Sequence, residues 1–248
     1  ILGDPLVTPQ SDQHHFVENI WRLPNHYFCF TVPAFDIAVS ESPALLKKGI
    51  TFGSFNNLIK INDRVYETWS EILKRVQNSR LFLKTKALAS EEERGQVARR
   101  FLSFGVGGDQ LILEGPSSRH ELLEAYKRVD ISLDPFPYPG GATSAESLWM
   151  GVPVLTLKGS DFLSHVGESV VHSAGYPEWI ANDLEHYVEL AIRYGADING
   201  LSKLRQEMRE RVLSSPLFDT RLFASDFEHA VREMHQRWRA NNLNDSDF

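Results

Sequence analysis

The chain is short of cysteine, of net positive charge and of long apolar runs, and each shortage removes a class of protein. Cys29 is the only cysteine in 248 residues. No internal disulfide and no multi-cysteine zinc site can therefore form, and a reducing, cytoplasmic setting is the expectation. The formal net charge is −7, with 26 Lys and Arg against 33 Asp and Glu. That balance lacks the clustered basic footprint of a general nucleic-acid binder, although it leaves room for a local basic pocket. No apolar run reaches the roughly 18 residues that would suggest a membrane span. The start, Ile1-Leu2-Gly3-Asp4-Pro5, has neither the basic opening nor the apolar core of a signal peptide. It also lacks an initiating Met, so a piece of a longer protein is expected. No G-x-G-x-x-G follows the first regular strand, where Gly53-Ser54-Phe55-Asn56 stands instead; an NAD-binding fingerprint is thereby missing.

What is present from residue 49 onward is a regular alternation. Residues 50–55 read as a buried strand. Residues 63–76 carry Val65, Trp69, Ile72, Leu73 and Val76 at helical spacing. A strand at 80–84 follows, then a helix from Ser90 to about 104, with Glu91, Glu92 and Glu93 in its first turn. That acidic run suits a helix N-terminus better than a metal site. A strand at 111–113, a helix at 118–128 and strands at 129–134 and 152–157 complete the alternation, which predicts βαβ units around a mainly parallel sheet. Helices are expected at about 162–174, 183–195, 198–213 and 221–239, then a frayed polar tail at 241–248. Trp69, Trp149 and Trp179 read as packing residues. Residues 1–33 look different: a short strand and turn, a helix at 14–21 and an apolar strand at 27–32. Residues 34–48 read as a linker. Severed from its surroundings, the aromatic-rich first segment would be expected to aggregate.

The stretch Asp134-Pro135-Phe136-Pro137-Tyr138-Pro139-Gly140-Gly141-Ala142-Thr143-Ser144-Ala145-Glu146 is the most informative. It reads as a strand end, a Pro/Gly loop and a helix start. Gly140 and Gly141 let a backbone approach a ligand closely, and free amides at the start of the helix suit an anion. A crevice at the carboxyl end of a strand is where open α/β sheets place their ligands. A phosphate-bearing ligand, a nucleotide, is the reading from residues alone.

Three separated motifs then carry a resemblance. Phe52-Gly53-Ser54-Phe55-Asn56-Asn57-Leu58-Ile59-Lys60, the stretch from Asp134 to Leu157, and Ser214-Ser215-Pro216-Leu217-Phe218-Asp219 occur in the order seen in protein O-GlcNAc transferases. The chain resembles the bacterial members of that family, which carry tetratricopeptide repeats ahead of their catalytic region. The resemblance implies a GT-B glycosyltransferase of the α/β class. Residues 49–240 would be its Rossmann-like C-terminal half, with a parallel sheet and a helical C-terminal segment. Residues 1–33 would end the N-terminal catalytic half, the rest of which and any repeats are absent from this chain. It further implies transfer of GlcNAc from UDP-GlcNAc to protein Ser or Thr hydroxyls, with inversion and without a metal or other cofactor. A binding module that holds a UDP-sugar without transferring it stays open as the alternative. The expected partners are the UDP-sugar, an acceptor protein and the missing half, with no nucleic acid and no membrane.

Site residues follow position by position. Lys60 matches the lysine that stabilises the departing UDP, a task for a cation where charge develops on the β-phosphate. Asn57 either contacts the phosphates or shapes its loop as an Asx-turn residue. Gly140, Gly141, Ala142, Thr143 and Ser144 form the expected diphosphate cradle. The family commonly has two hydroxyl residues where Ala142 and Thr143 stand, so Ala142 removes one phosphate contact. Glu146 matches the acid that binds the ribose hydroxyls, which a carboxylate can accept in pairs. Arg119 fits a basic position near the uridine, but the neighbouring histidine position is Leu122 here, and His120 reads as a surface residue. His165 either faces the nucleotide or caps and packs its helix. His14 and His15 match no family base.

Overall fold

The computed structural model describes residues 1–47 and 49–243. Among them a six-stranded, all-parallel sheet has the order β5 (Leu111–Glu114), β4 (Arg80–Lys84), β3 (Thr51–Ser54), β6 (Ile131–Leu133), β7 (Val154–Leu157), β8 (Ile180–Ala181). A separate two-stranded parallel sheet pairs β1 (Leu2–Gly3) with β2 (Trp21–Arg22). After a short helix α1 (Pro43–Lys47) comes β3 (Thr51–Ser54), followed by α2 (Asp63–Arg75), β4 (Arg80–Lys84), α3 (Glu91–Ser103) and β5 (Leu111–Glu114). The chain then returns to the middle of the sheet through α4 (Arg119–Ala125) to β6 (Ile131–Leu133), and continues outward through α5 (Ala142–Trp149), β7 (Val154–Leu157), α6 (His165–Ser173) and β8 (Ile180–Ala181). Three helices close it: α7 (Leu184–Ala196), α8 (Ile198–Leu213) and α9 (Thr220–Leu243). This is the doubly wound order, and it reverses direction between β3 and β6.

The elements form where the sequence periodicity places them. β3 is buried at all four positions, as a central parallel strand covered on both faces requires. Gly53 has no choice of side chain, because a Cβ there would lie 2.6 Å from Val129 Cγ2. On α2, Val65, Trp69, Ile72 and Leu73 are the buried stripe, and Asn62 caps the helix by accepting from the Val65 amide at 3.1 Å. Ser90 caps α3 through the Glu93 amide, and Ser118 and Glu121 close a reciprocal capping box on α4. Trp69, Trp149 and Trp179 are buried as expected.

The first 47 residues differ from the sequence expectation. The helix expected at 14–21 is a 3-10 turn, Gln10–His15, because Trp21–Arg22 is taken up by pairing with β1. The strand expected at 27–32 does not form; that segment is held by rings and side chains instead. Tyr27 and Phe28 pack edge to face at 5.0 Å, Phe30 meets Phe218 at 5.5 Å, and the Phe30 amide donates to the Leu217 carbonyl. Asp4, fully buried, fixes the segment to α6: its carboxylate accepts from the amides of Leu6, Val7 and Tyr27 and from Ser169 Oγ at 2.6 Å. Residues 34–47 are likewise pinned. Asp130 accepts from Ser42 Oγ at 2.5 Å and from the amides of Ala44 and Thr51, and Arg205 donates to Ser40 and to the carbonyls of Val129 and Tyr126. Of the tail expected to fray, residues 241–243 belong to the last turn of α9, and 244–248 lie outside the described residues. α9 also returns to the first segment, through Asn25 to Asp226 at 2.8 Å and Arg237 over the Trp21 ring.

Burial raises the Asp130 pKa and lowers that of Arg205 to about 10, and each group's field partly offsets the other's cost. Asp130→Ala strips the acceptor from two amides and a hydroxyl and leaves the Arg205 charge less compensated. A loss of about 3 kcal/mol in urea unfolding is expected; a loss under about 1 kcal/mol would show that these bonds do not tether the segment.

Candidate functional site

Two loops leave the carboxyl edge of the sheet at the reversal point, one from β3 and one from β6. After β3, Phe55 and Asn56 stay buried while Asn57 turns outward. Asn57 Oδ1 accepts from the Ile59 amide and caps the 3-10 turn Leu58–Lys60. That turn carries Lys60 back over the crevice. Its ammonium donates to the Pro139 carbonyl at 2.7 Å and to Asn56 Oδ1 at 3.2 Å, and lies 3.9 Å from the centre of the Tyr138 ring. Burial lowers the Lys60 pKa, and the negative Asp134 nearby works against that shift.

After β6 the chain turns at Asp134 and runs through Pro139 to the start of α5. Asp134 is 2% exposed. Its Oδ1 accepts from the Gly140 amide at 3.2 Å and from Ser144 Oγ at 2.9 Å, while Tyr187 Oη donates to its carbonyl at 3.0 Å. A Cβ on Gly140 would fall 2.1 Å from Ser144 Oγ, 2.6 Å from Thr143 Oγ1 and 2.8 Å from Asp134 Oδ1, so only glycine fits. Gly141 is different: a Cβ there would meet nothing closer than Val166 Cγ1 at 3.9 Å. The space over the start of α5 is open.

That helix start has no side-chain cap, a lack it shares with α6 among the longer helices. Side chains accept the first-turn amides of α2, α3, α4, α7 and α8, but none caps α5. The amides of Gly141, Ala142 and Thr143 have no acceptor among the described residues. Together with the positive end of the helix and Lys60, they form a site of positive potential facing outward. Thr143 Oγ1 donates to Asn56 Oδ1 at 3.3 Å, which joins the two loops, and Tyr126 Oη holds the Thr143 carbonyl at 3.0 Å. One turn on, Glu146 is 6% exposed and pairs with Arg119 Nη2 at 2.6 Å. The four-residue spacing places that carboxylate on the same face of α5 as Ala142, one turn from the helix start.

The structure thus assembles Lys60, Gly140, Gly141, Ala142, Thr143, Glu146 and Arg119 along one crevice. Ser144 contributes differently from the expectation, since its hydroxyl points inward to Asp134. Asn57 caps its turn, and Asn56 is the asparagine that faces the lysine and the cradle. His165 is buried, with Nδ1 3.1 Å from Glu168 and Nε2 3.5 Å from Asp12, so it pairs α6 with the first segment. His120 is on the surface, edge-on to Phe35 at 5.7 Å, and Leu122 packs against the core. Asp134, Asn56 and Tyr126 also bond to the residues of this crevice and are not singled out from sequence. Asp134 and Asn56 lie inside the quoted motifs, but nothing in their spacing tells which polar residue of a loop turns inward. A cavity of about 780 Å³ opens at the opposite edge, among Thr51, Arg80 and Gln110, where the strands begin. Volume alone would favour it, but it has neither a helix start nor a paired acid and base of this kind.

The fold is that of the GT-B glycosyltransferases, of which this is a Rossmann-like half. A glycosyltransferase from lipopolysaccharide biosynthesis, WaaG, shares the fold with a TM-score of 0.60 at 14% identity, over 92% of this chain and 61% of its own. The sequence model of glycosyl transferase family 41 matches residues 35–227, and the chain belongs to that family. A lysine-to-methionine mutant of the Thermobaculum terrenum O-GlcNAc transferase superposes with a TM-score of 0.86 at 32% identity, covering 94% of this chain and 44% of that one. The probable UDP-N-acetylglucosamine–peptide N-acetylglucosaminyltransferase SPINDLY of Petunia hybrida is 39% identical over 245 residues, 96% of this chain. The chain spans about a quarter of the length of that relative, 26%.

Gly140→Ala forces its Cβ onto Ser144, Thr143 and Asp134, and a cost of about 1–3 kcal/mol in thermal or urea unfolding is expected from overpacking. Unchanged stability would mean that the loop is looser than these distances imply.

Proposed function

We propose that the crevice binds the diphosphate of UDP-GlcNAc and that the whole protein transfers GlcNAc to Ser or Thr hydroxyls of proteins. The observation that carries this reading is the uncapped start of α5 facing the Lys60 ammonium at the reversal point of the sheet. Three free amides, one helix dipole and one cation supply donors for phosphate oxygens. Membership of family 41 and the names of the relatives support the donor and the acceptor class.

In this reading the bond from the sugar C1 to the β-phosphate oxygen breaks as the acceptor Oγ forms its bond to C1 from the opposite face, with inversion. Charge gathers on the departing UDP, where Lys60 and the amides of Gly141, Ala142 and Thr143 take it up without a metal. Glu146 accepts from the ribose hydroxyls, with Arg119 holding its carboxylate in place. Ala142 offers an amide and no hydroxyl. The proton of the acceptor leaves to a base that belongs to the other half of the GT-B pair. His165 is assigned to holding the first segment against α6. The alternative, a module that binds a UDP-sugar without transferring it, draws on Ala142 and Leu122; transfer by the full-length parent decides between the two.

Three outcomes are expected of the chain alone. Saturating UDP, at about a hundred times its dissociation constant, stabilises the fold by about 2.7 kcal/mol, a thermal shift of about 5–10 °C at this size. Lys60→Ala removes one charge-assisted bond and weakens UDP binding by about tenfold or more, with NAD inert throughout. UDP affinity falls as pH rises through the lowered Lys60 pKa, below the 10.5 of an ordinary lysine, because only the ammonium form contributes. Lys60→Ala abolishes that alkaline limb. No UDP-specific shift in folded protein would contradict the assignment, and rapid GlcNAc transfer by the chain alone would contradict a base that belongs to the other half.

A further inference from the structure

Asp134 carries the wrong charge for a phosphate site, yet it sits directly beneath one. Its carboxylate takes no part in the contacts assigned above to UDP. It is nonetheless 2% exposed, and a buried carboxylate is costly unless its bonds compensate. Two of those bonds are to the cradle itself, from the Gly140 amide and from Ser144 Oγ.

We propose that Asp134 is the positioning residue of the diphosphate site, pulling the Gly140 amide and the Ser144 hydroxyl beneath the cradle so that the amides of Gly141, Ala142 and Thr143 face the ligand. It also keeps the Lys60 ammonium at the mouth of the crevice. The inference rests on the diphosphate reading of this site and deepens it. The geometry leaves little slack: a Cβ at Gly140 would touch Ser144, Thr143 and Asp134 together. The backbone from which the carboxylate springs is held by Tyr187, whose hydroxyl donates to the Asp134 carbonyl at 3.0 Å. Ser144 therefore orients the first turn of α5 rather than binding phosphate. Burial raises the Asp134 pKa, while the Ser144 and Gly140 bonds and the Lys60 charge act in the opposite direction. Burial lowers the Lys60 pKa and Asp134 opposes it. The groups facing Lys60 are Asp134, Tyr138, Asn56 and the Pro139 carbonyl; Asp134 is the charged one among them.

The sign of one variant separates positioning from plain electrostatics. Removing a negative charge from beneath an anion site tightens anion binding if charge alone matters. Positioning requires the reverse. Isothermal titration of the 248-residue chain with UDP is expected to show Asp134→Ala binding about tenfold or more weaker than wild type, the worth of one lost charged hydrogen bond. Ser144→Ala, which keeps the charge and removes the pin, is expected to weaken binding about threefold or more, since only part of the worth of its bond to the carboxylate passes into the geometry of the cradle. In Asp134→Asn the alkaline limb of UDP affinity is expected to move to lower pH, whereas in Ser144→Ala it stays where wild type has it. Equal or tighter binding by Asp134→Ala overturns the proposal while leaving the diphosphate reading intact. Should Asp134→Ala fail to fold, unchanged affinity in Ser144→Ala overturns it in the same way. Wild-type chain that ignores UDP overturns both.

Discussion

The reversal of strand order between β3 and β6 is the constraint on which the rest of the site depends. Two neighbouring parallel strands send their following loops to opposite faces of the sheet, so a crevice opens at their carboxyl ends. β3 delivers Lys60 to one wall and β6 delivers the start of α5 to the other. Neither loop builds a phosphate site alone. Asn56 joins them by accepting from both Lys60 and Thr143, so the lysine and the helix start are set in register before any ligand arrives. That arrangement lets binding energy go to the ligand rather than to ordering the protein.

The charges in the crevice are balanced at close range. Lys60 and the α5 amides face outward with positive character, while Asp134 lies beneath them and Glu146 beside them, each carboxylate held by donors. A cation surrounded by carbonyls and an aromatic face, as Lys60 is, keeps its charge when partly desolvated. It can trade the Tyr138 ring for a phosphate oxygen with little movement. The remote supports are of the same kind: Tyr126 and Tyr187 are buried rings whose hydroxyls fix the Thr143 and Asp134 carbonyls. Burial with nearby carboxylates holds both phenols in their neutral, donating form.

Much of the fold was legible because the βα alternation from residue 50 to 213 has strong period and clear caps. Strand β4 and helix α8 fall where the sequence places them, and most other boundaries shift by one to three residues. The failures share a cause. The expected strand at 27–32 has apolar and aromatic residues that pack as rings on Phe162 and Phe218 instead of pairing in a sheet. The segment read as a linker holds polar residues whose partners, Asp130 and Arg205, lie roughly 80 to 170 positions away. β8, two residues long, has no sequence signature at that length. At the site, Lys60, the glycines and Glu146 were visible through motif position. The Asx-turn role of Asn57 was one of the two readings its position allowed, whereas the part of Asn56, which meets Thr143 of the other loop, and the inward turn of Ser144 toward Asp134, ten positions back, were not visible.

The most direct test is the set of backbone amide resonances that respond to UDP in the isotopically labelled chain. The account predicts the largest changes, with slowed hydrogen exchange, at Gly141, Ala142 and Thr143, and smaller ones in the turn that carries Lys60. Changes centred on Thr51, Arg80 and Gln110 at the opposite edge of the sheet, with residues 141–143 silent, would contradict it.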